Sequence, residues 1–147
     1  MHGLRVERRS LEDRSLSRLV ADEILGNVGR GKTVVVTDSP AGLLAATKKR
    51  WLKIIRRVEC ERSSTLNAAR IAEYSQKITQ MRRLHFSVAP LQDILTVDVT
   101  FATAESLVQM PPTCAMLLVT YEFEREKLYM MTAWMSRNGL VVIYDPS

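Results

Sequence analysis

The stretch Thr33-Val34-Val35-Val36-Thr37-Asp38-Ser39-Pro40 decides the fold of this 147-residue chain. Residues 33–37 are all β-branched and show no polar alternation, which is typical of a short central strand covered on both faces. Directly after it, Asp38 or Ser39 can cap a helix, and Pro40 suits the first helical position. We therefore predict a buried strand that leads straight into a helix.

Helices are predicted on both sides of this strand. An apolar stripe that ends at a run of glycines predicts a helix over 11–27, with Ser10 as its N-cap. A second helix is predicted over 40–62. Residues 66–83 carry a heptad-like seam, which fits either a helical hairpin or a long helix that dimerises. Whether residues 40–84 form one helix or a hairpin stays open at this point. The seam consists of Ile71, Tyr74, Ile78 and Met81.

After Pro90 the hydrophobic period changes from 3.6 to 2, which predicts strands. Asn138-Gly139 is the strongest short-range hairpin signal in the chain. Because strictly alternating βαβ units are not apparent, we predict an α+β fold, with a mixed or antiparallel sheet, a C-terminal β-meander and helices packed on one face. Residues 1–147 are predicted to form a single domain. The strands are predicted over 94–101, 114–123, 127–135 and 140–144.

Composition and charge narrow the classes of function. The chain is 46% hydrophobic and 25% charged, with 2 Cys and 6 Gly, which excludes collagen-like, disulfide-scaffold and disordered proteins. The net charge of +5 is unevenly divided. Residues 1–86 hold 18 Lys and Arg against 9 Asp and Glu, a net of +9, and residues 87–147 hold 3 against 7, a net of −4. A basic part of this size favours an anionic partner, although basic helices can also simply solvate their outer faces.

The location predicted from sequence is cytoplasmic. Cys60 and Cys114 form no paired framework, which favours a reducing compartment. No apolar segment suited to a signal peptide is seen, and the longest uncharged stretch, 106–121, is interrupted by Pro111-Pro112 and too short to span a membrane.

The most informative candidate site is a cluster of cations in the predicted second helix. Cationic side chains at this density suit contact with a phosphate backbone. Aromatic residues are poorly interleaved with them, so stacking on single-stranded bases is not predicted. We therefore predict a non-catalytic binding protein whose basic helical face contacts nucleic acid or a phosphate-bearing ligand, with no cofactor and no metal. The cluster consists of Lys48, Lys49, Arg50, Lys53, Arg56 and Arg57.

A second candidate site is the turn between the central strand and the second helix. Ligands favour the carboxyl ends of strands in open sheets, and free amides at a helix start bind anions. Ser39 and Gly42 are predicted to donate to a phosphate there. Asp38 disfavours a bare anion, and plain helix capping is the alternative role of this turn.

The segment from Gly26 to Thr33 matches the GxxxxGK[ST] pattern of phosphate-binding loops letter for letter. That chemistry requires a strand before the loop and a helix after it, so that the helix N-terminus faces the phosphates. Here the predicted order is reversed. We therefore interpret the segment as a glycine-rich helix stop followed by entry into a strand.

Two other classes of function stay open. One is a nucleotide- or phosphodiester-processing enzyme that uses Asp38 and Ser39, or His85 at a helix end. The other is a protein-interaction subunit that binds through the meander, which is rich in methionine and aromatic residues. The heptad-like seam additionally suggests a homodimer. The meander residues are Met110, Met116, Tyr129, Met130, Met131, Trp134 and Met135.

Overall fold

Strands and helices alternate along most of the chain in the computed structural model, which describes residues 4–12, 14–89, 97–109, 114–120, 132–133 and 135–145. The described elements are β1 (Arg5–Ser10), α1 (Leu16–Gly26), β2 (Thr33–Val36), α2 (Pro40–Ser64), α3 (Ala68–Arg83), β3 (Phe86–Val88), β4 (Val99–Ala102), α4 (Ala104–Gln109), β5 (Cys114–Val119) and β6 (Met135–Asp145).

All six strands are parallel and form one sheet in the order β1-β6-β5-β2-β4-β3. In the middle, Thr33 of β2 pairs with Met116 of β5 on one side and with Val99 of β4 on the other. The fold is therefore α/β, and the predicted α+β fold with a mixed or antiparallel sheet is wrong. The prediction of a central strand at 33–37 is confirmed, because every residue of β2 is buried.

The C-terminal meander does not form, because Asn138-Gly139 lies inside β6 and reverses nothing. Asn138 adopts a positive φ of 63°. The pairing of β6 with β5 slips at this point, from Cys114 opposite Met135 to Met116 opposite Leu140. A residue with positive φ serves a bulge as well as a hairpin turn, and the strand continues after it. The predicted strand at 127–135 falls mostly outside the described residues, as do residues 94–96 of the strand predicted over 94–101.

The amino-terminal strand is the element that sequence reasoning missed. β1 is an edge strand, parallel to β6, and four of its six residues are charged. Leu11, predicted to begin the first helix, instead donates its backbone N–H to the Asp145 carbonyl at 2.9 Å and extends the pairing with β6. The helix begins at Leu16, and Ser15 takes the N-cap position predicted for Ser10.

Apolar side chains fill a layer on each face of the sheet. On one face, Trp51 and Ile55 of α2 pack in a core with Val35 and Phe101 of the sheet. The opposite face carries Val34, Val36, Leu117 and Val141, packed with Ala104 and Leu107 of α4. Helices therefore cover both faces, and their predicted placement on one face is wrong.

Residues 40–84 form a helical hairpin. α2 ends at Ser64, and α3 begins after Asn67, whose Oδ1 accepts hydrogen bonds from Ala69 N at 3.0 Å and Arg70 N at 3.3 Å. No residue from 59 to 77 is buried, so this end of the hairpin projects beyond the core. Two residues of the heptad-like seam, Ile78 and Met81, belong to the core of the same chain.

The strand order creates a crevice at the carboxyl ends of β2 and β5. From β2 the chain continues through α2 and α3 to β3 at one edge of the sheet, whereas β6, which follows β5, lies toward the other edge. Neighbouring strands whose connections diverge in this way leave the position at which open α/β sheets bind ligands.

No helix within the described ranges combines the length and apolar character needed to cross a lipid bilayer.

Trp51 provides a test of the packing of α2. Its side chain is 4% exposed, its Nε1–H donates to the Met81 carbonyl at 3.0 Å, and its ring meets Phe86 edge-on at 5.6 Å. Trp51→Phe should lower the free energy of unfolding by about 1–3 kcal/mol, because the buried carbonyl loses its donor. Urea unfolding followed by circular dichroism measures this change.

The control for Trp51 is Leu52→Ala on the same helix, where the side chain is 52% exposed. This substitution should change the free energy of unfolding by less than about 0.5 kcal/mol. Equal stability of the two variants would contradict the packing described for Trp51.

Candidate functional site

The basic residues of α2 occupy the side of the helix that faces away from the core. The core side is formed by Thr47, Trp51, Ile54, Ile55 and Val58. Of the six predicted cations, Arg50 is half-buried and the other five are exposed. Lys49, Lys53 and Arg56 follow one another at spacings of four and three residues, which places them in one row along the helix. We call the six residues 48, 49, 50, 53, 56 and 57 the basic face.

The basic face contrasts with the arginines of β1, which have acidic partners. In β1, Arg5 Nε lies 3.1 Å from Glu7 Oε1, and Arg8 Nη1 lies 3.1 Å from Asp145 Oδ1. Arg9 binds Glu7, whose pKa it lowers by hydrogen bonding, and Glu23.

Within the described part of the chain, by contrast, no residue of the basic face forms an ion pair or a side-chain hydrogen bond. The positive charge on this part of α2 is therefore uncompensated, whereas the charge of β1 is largely neutralised within the chain.

Arg50 adds a second feature to the basic face. Its Nε atom is buried and has no hydrogen-bond acceptor among the described residues. A buried donor without an acceptor costs free energy.

A cleft of about 480 Å³ lies at the carboxyl ends of β2 and β5, where the strand order places the crevice. Its walls come from the beginnings of α1 and α2 and from the residues that directly follow the two strands. Two of its lining residues, Gly42 and Ala46, continue the row of Lys49 and Lys53 toward the start of α2. The cleft is lined by Ser15, Leu16, Ser17, Thr37, Asp38, Ser39, Gly42, Leu43, Ala46 and Thr120.

The first turn of α2 presents uncapped backbone amides at this cleft. Ser39 makes no side-chain capping bond, although its carbonyl accepts from Leu43 N at 2.9 Å and its own N–H donates to Thr37 Oγ1 at 3.3 Å. Pro40 has no N–H. The Ala41 and Gly42 amides are therefore the donors that this helix leaves for another acceptor.

Gly42 lies close to the Ser39 side chain. A Cβ at this position would lie 2.8 Å from the Ser39 hydroxyl oxygen. The Ser39 side chain thus rests against the first turn of α2, in the position where sequence reasoning placed a phosphate donor. Binding of phosphate by Ser39 and Gly42 stays a prediction.

His85 lies at the opposite end of the sheet from Asp38 and Ser39. It directly precedes β3, its backbone N–H donates to Asp98 Oδ2 at 2.7 Å, and its carbonyl accepts from the Asp98 and Val99 amides. The backbone of His85 thus ties the start of β3 to the start of β4. In a parallel sheet all amino ends of the strands lie on one side and all carboxyl ends on the other. His85 precedes β3 and Asp38 follows β2, so the two residues cannot share one active site.

The loop that matches GxxxxGK[ST] has a structural role at the start of β2. It follows α1 and precedes β2, so the helix comes before the loop and the strand after it. The Lys32 carbonyl accepts from Ala115 N at 2.8 Å and Met116 N at 3.2 Å, which ties the loop to β5. Gly29 and Gly31 have positive φ angles of 92° and 135°. These contacts give the glycines a structural role without any phosphate.

The remaining candidates for chemistry are the two cysteines, a metal site and the residues of the predicted meander, and of the cysteines Cys60 is exposed and Cys114 is buried. Burial raises the pKa of the Cys114 thiol to about 12, so it stays protonated at neutral pH. Within the described ranges no three His, Cys, Asp or Glu residues group together as metal ligands. Met116 is a core residue, and Met135 is half-buried. The side chains of Met110, Tyr129, Met130, Met131 and Trp134 lie outside the description.

Thr120 and the start of α1 are the parts of the cleft that sequence reasoning missed. Thr120 follows the apolar run Cys114–Val119, and Ser15 and Ser17 precede the apolar stripe of α1. A polar residue that follows a buried strand is a usable signal once the strands are known to be parallel. The predicted mixed or antiparallel sheet did not place the carboxyl ends of β2 and β5 side by side.

Two glycines of the Gly26–Thr33 segment test its structural role. Gly31→Ala should lower the free energy of unfolding by about 1–3 kcal/mol, because φ is 135° and the new Cβ would lie 2.9 Å from Ala115 Cβ. Gly26→Ala, at the end of α1 with no atom within 4 Å of the new Cβ, should leave stability unchanged or slightly raised. Thermal unfolding of both variants measures the difference, and equal melting temperatures would exclude this role.

The basic face and one wall of the cleft belong to the same helix, α2. A scan of protein-family models finds no match to this chain, and a search of curated proteins finds no similar sequence.

Proposed function

We propose that this protein binds nucleic acid without catalysis, through contact of the basic face of α2 with the phosphate backbone. The observation that carries the proposal is the uncompensated charge of six cations within ten residues of one helix. A solvated helix face of ordinary composition mixes both signs of charge, and α2 has no acidic residue before Glu59. Phosphates are the counter-charge that such a face attracts most strongly.

The dimensions of the basic face suit a phosphate backbone. From Lys49 to Arg57 the helix rises about 12 Å, a distance over which one strand of B-DNA carries about three or four phosphates. The face belongs to the long helical hairpin, part of which projects beyond the core. The basic face lies just before that projecting end, on the outer side of the part of α2 that packs on the core, so a phosphate backbone can approach it from the solvent side.

The mode of recognition that these residues favour is independent of base sequence. Trp51, the aromatic residue of α2, is buried against Phe86 and Met81 and is not available for stacking on bases. Lysine and arginine contacts to phosphates position a protein on a duplex but read no sequence. We therefore propose double-stranded nucleic acid of any sequence as the partner.

The test is a fluorescence anisotropy titration of a labelled duplex at several salt concentrations. The variant Lys49→Gln/Lys53→Gln/Arg56→Gln should bind about tenfold more weakly or worse at low salt. The slope of log K against log salt should become shallower by up to about three, because each lost phosphate contact removes about one unit.

The matched control is Arg5→Gln/Arg8→Gln/Arg14→Gln. It lowers the net charge by the same three units, from +5 to +2, on a different part of the molecule. Arg5 and Arg8 are paired with Glu7 and Asp145, so they contribute less field to a partner. Affinity should fall by less than about threefold. Equal losses in the two variants would show that net charge, and not this face, governs binding.

We also propose that the protein is cytoplasmic and forms a homodimer. Because Ile78 and Met81 are used within the chain, a homodimer would have to form through a surface other than the complete heptad-like seam. Light scattering at several protein concentrations measures this, and a mass that stays at 16.7 kDa would exclude the homodimer.

A further inference from the structure

We infer that β1 is the interface of the homodimer proposed above, and that it joins two copies of the chain by antiparallel pairing with β1 of the second copy. The inference rests on the proposed homodimer and names its surface, and it does not depend on the binding of nucleic acid. Three features of β1 favour a second copy as its partner: outward-facing backbone groups, balanced charge, and a charge pattern that complements itself.

The outer edge of β1 is a template for a further strand. β1 lies at one edge of the sheet, and its inner side pairs with β6. It has six residues, whereas β3 at the opposite edge has three. An edge strand presents backbone N–H and C=O groups that can pair with another chain. Of the two edges, β1 therefore offers the longer row of such groups.

Val6 and Arg8 direct their backbone groups away from β6. Leu11 N donates to the Asp145 carbonyl of β6, and the direction of backbone groups alternates from residue to residue along a strand. Even-numbered residues of β1 therefore face outward. The Arg8 carbonyl accepts from the exposed Arg9 guanidinium at 3.4 Å, a contact that an incoming strand would replace.

The charges around β1 balance, unlike those of the chain as a whole. Three arginines of the strand are matched by three carboxylates. Two copies with a net charge of +5 each repel one another, and the repulsion is weakest where the local charge is near zero. β1 can therefore approach a second copy more easily than the basic face can. The residues are Arg5, Arg8 and Arg9 with Glu7, Glu23 and Asp145.

Glu7 and Arg9 make the strand self-complementary. When two β1 strands run antiparallel about an axis at Arg8, Glu7 of each copy lies directly opposite Arg9 of the other. These positions form closely spaced, non-hydrogen-bonded pairs, while the outward-facing residues supply about six backbone hydrogen bonds. Each Arg8 keeps its own Asp145 at 3.1 Å, which offsets the meeting of two arginines on the axis. A register centred on Glu7 would instead place two glutamates opposite each other.

The interface is small, so the dimer should be weak. A pair of six-residue strands buries less than the roughly 800 Å² per partner of a standard interface, and we expect a dissociation constant in the micromolar range. Charged residues on edge strands protect a sheet against indiscriminate pairing. The alternation of Glu7 and Arg9 keeps that protection and admits a strand with the same pattern.

Sedimentation velocity of the full chain from about 2 to 200 µM tests the interface. Val6, whose side chain is 54% exposed, is the position for the main variant. Val6→Pro removes an outward-facing N–H and leaves the bonds to β6 intact, because proline is tolerated where an edge strand faces solvent. It should weaken dimerisation at least about tenfold, with the melting temperature retained.

The matched control is Val6→Thr, which keeps the N–H, the β-branched shape and the charge. This variant should change the dissociation constant by less than about threefold. Equal dissociation constants for the two variants would overturn the assignment of β1 and leave a homodimer that forms through another surface.

Glu7→Arg tests the charge pattern, and it serves also if Val6→Pro fails to fold. It places like charges opposite each other twice, so dimerisation should weaken at least about tenfold. The matched control is Glu61→Arg, which makes the same change in net charge, from +5 to +7, at an exposed position of α2. It should weaken dimerisation by less than about threefold. Equal weakening would show that net charge, and not β1, governs association.

A wild-type chain that stays monomeric at about 200 µM would refute the homodimer and the role of β1 together. The duplex titration of the basic face is a separate measurement, so nucleic-acid binding and the β1 interface can fail independently.

Discussion

The fold is organised around one strand that is buried on both faces and bonded on both edges. Every residue of β2 is covered, with Val35 in one apolar layer and Val34 and Val36 in the other, while its backbone pairs with β4 and β5. A strand in this position is typically rich in β-branched and apolar residues, and parallel neighbours are typical of sheets whose two faces are covered by helices. The four-residue run Thr33–Val36 meets that condition and fixes the plane on which the other elements pack.

The end of this strand determines what α2 can do. Because Pro40 begins the helix a few residues after Val36, the start of α2 is held at the carboxyl edge of the sheet, beside the residues that follow β5. Its apolar side, which includes Trp51 and Ile55, packs on the sheet and fixes the rotation of the helix. The opposite side then presents Gly42 and Ala46 to the cleft and the basic face beyond them, so one amphipathic helix carries both surfaces.

Elements are predicted correctly from sequence where local residue chemistry determines them. They are missed where pairing with residues distant in the sequence determines them. The β-branched run, Pro40 and the apolar spacing identify β2 and α2, and the same spacing identifies the basic face. β1 is not predicted, because a strand with so many charged residues is stable only at the edge of a sheet. Its pairing partner, β6, lies more than a hundred residues away in the sequence. Asn138-Gly139 signals a turn locally, but Leu140 to Ile143 have partners on both sides, and pairing to both β1 and β5 keeps the strand running forward. Strand direction, and with it the cleft, is therefore not a local property.

The basic face concentrates unpaired positive charge in one part of α2. Arg5, Arg8 and Arg9 of β1 and Arg82 of α3 have carboxylate partners within the chain. The basic face gathers like charges at short spacing instead, which lowers helix stability by a few tenths of a kcal/mol for each close pair. Folding gains nothing from this arrangement, and it leaves Arg50 Nε buried without an acceptor. The anionic partner that we propose would supply counter-charge to the exposed cations of this face.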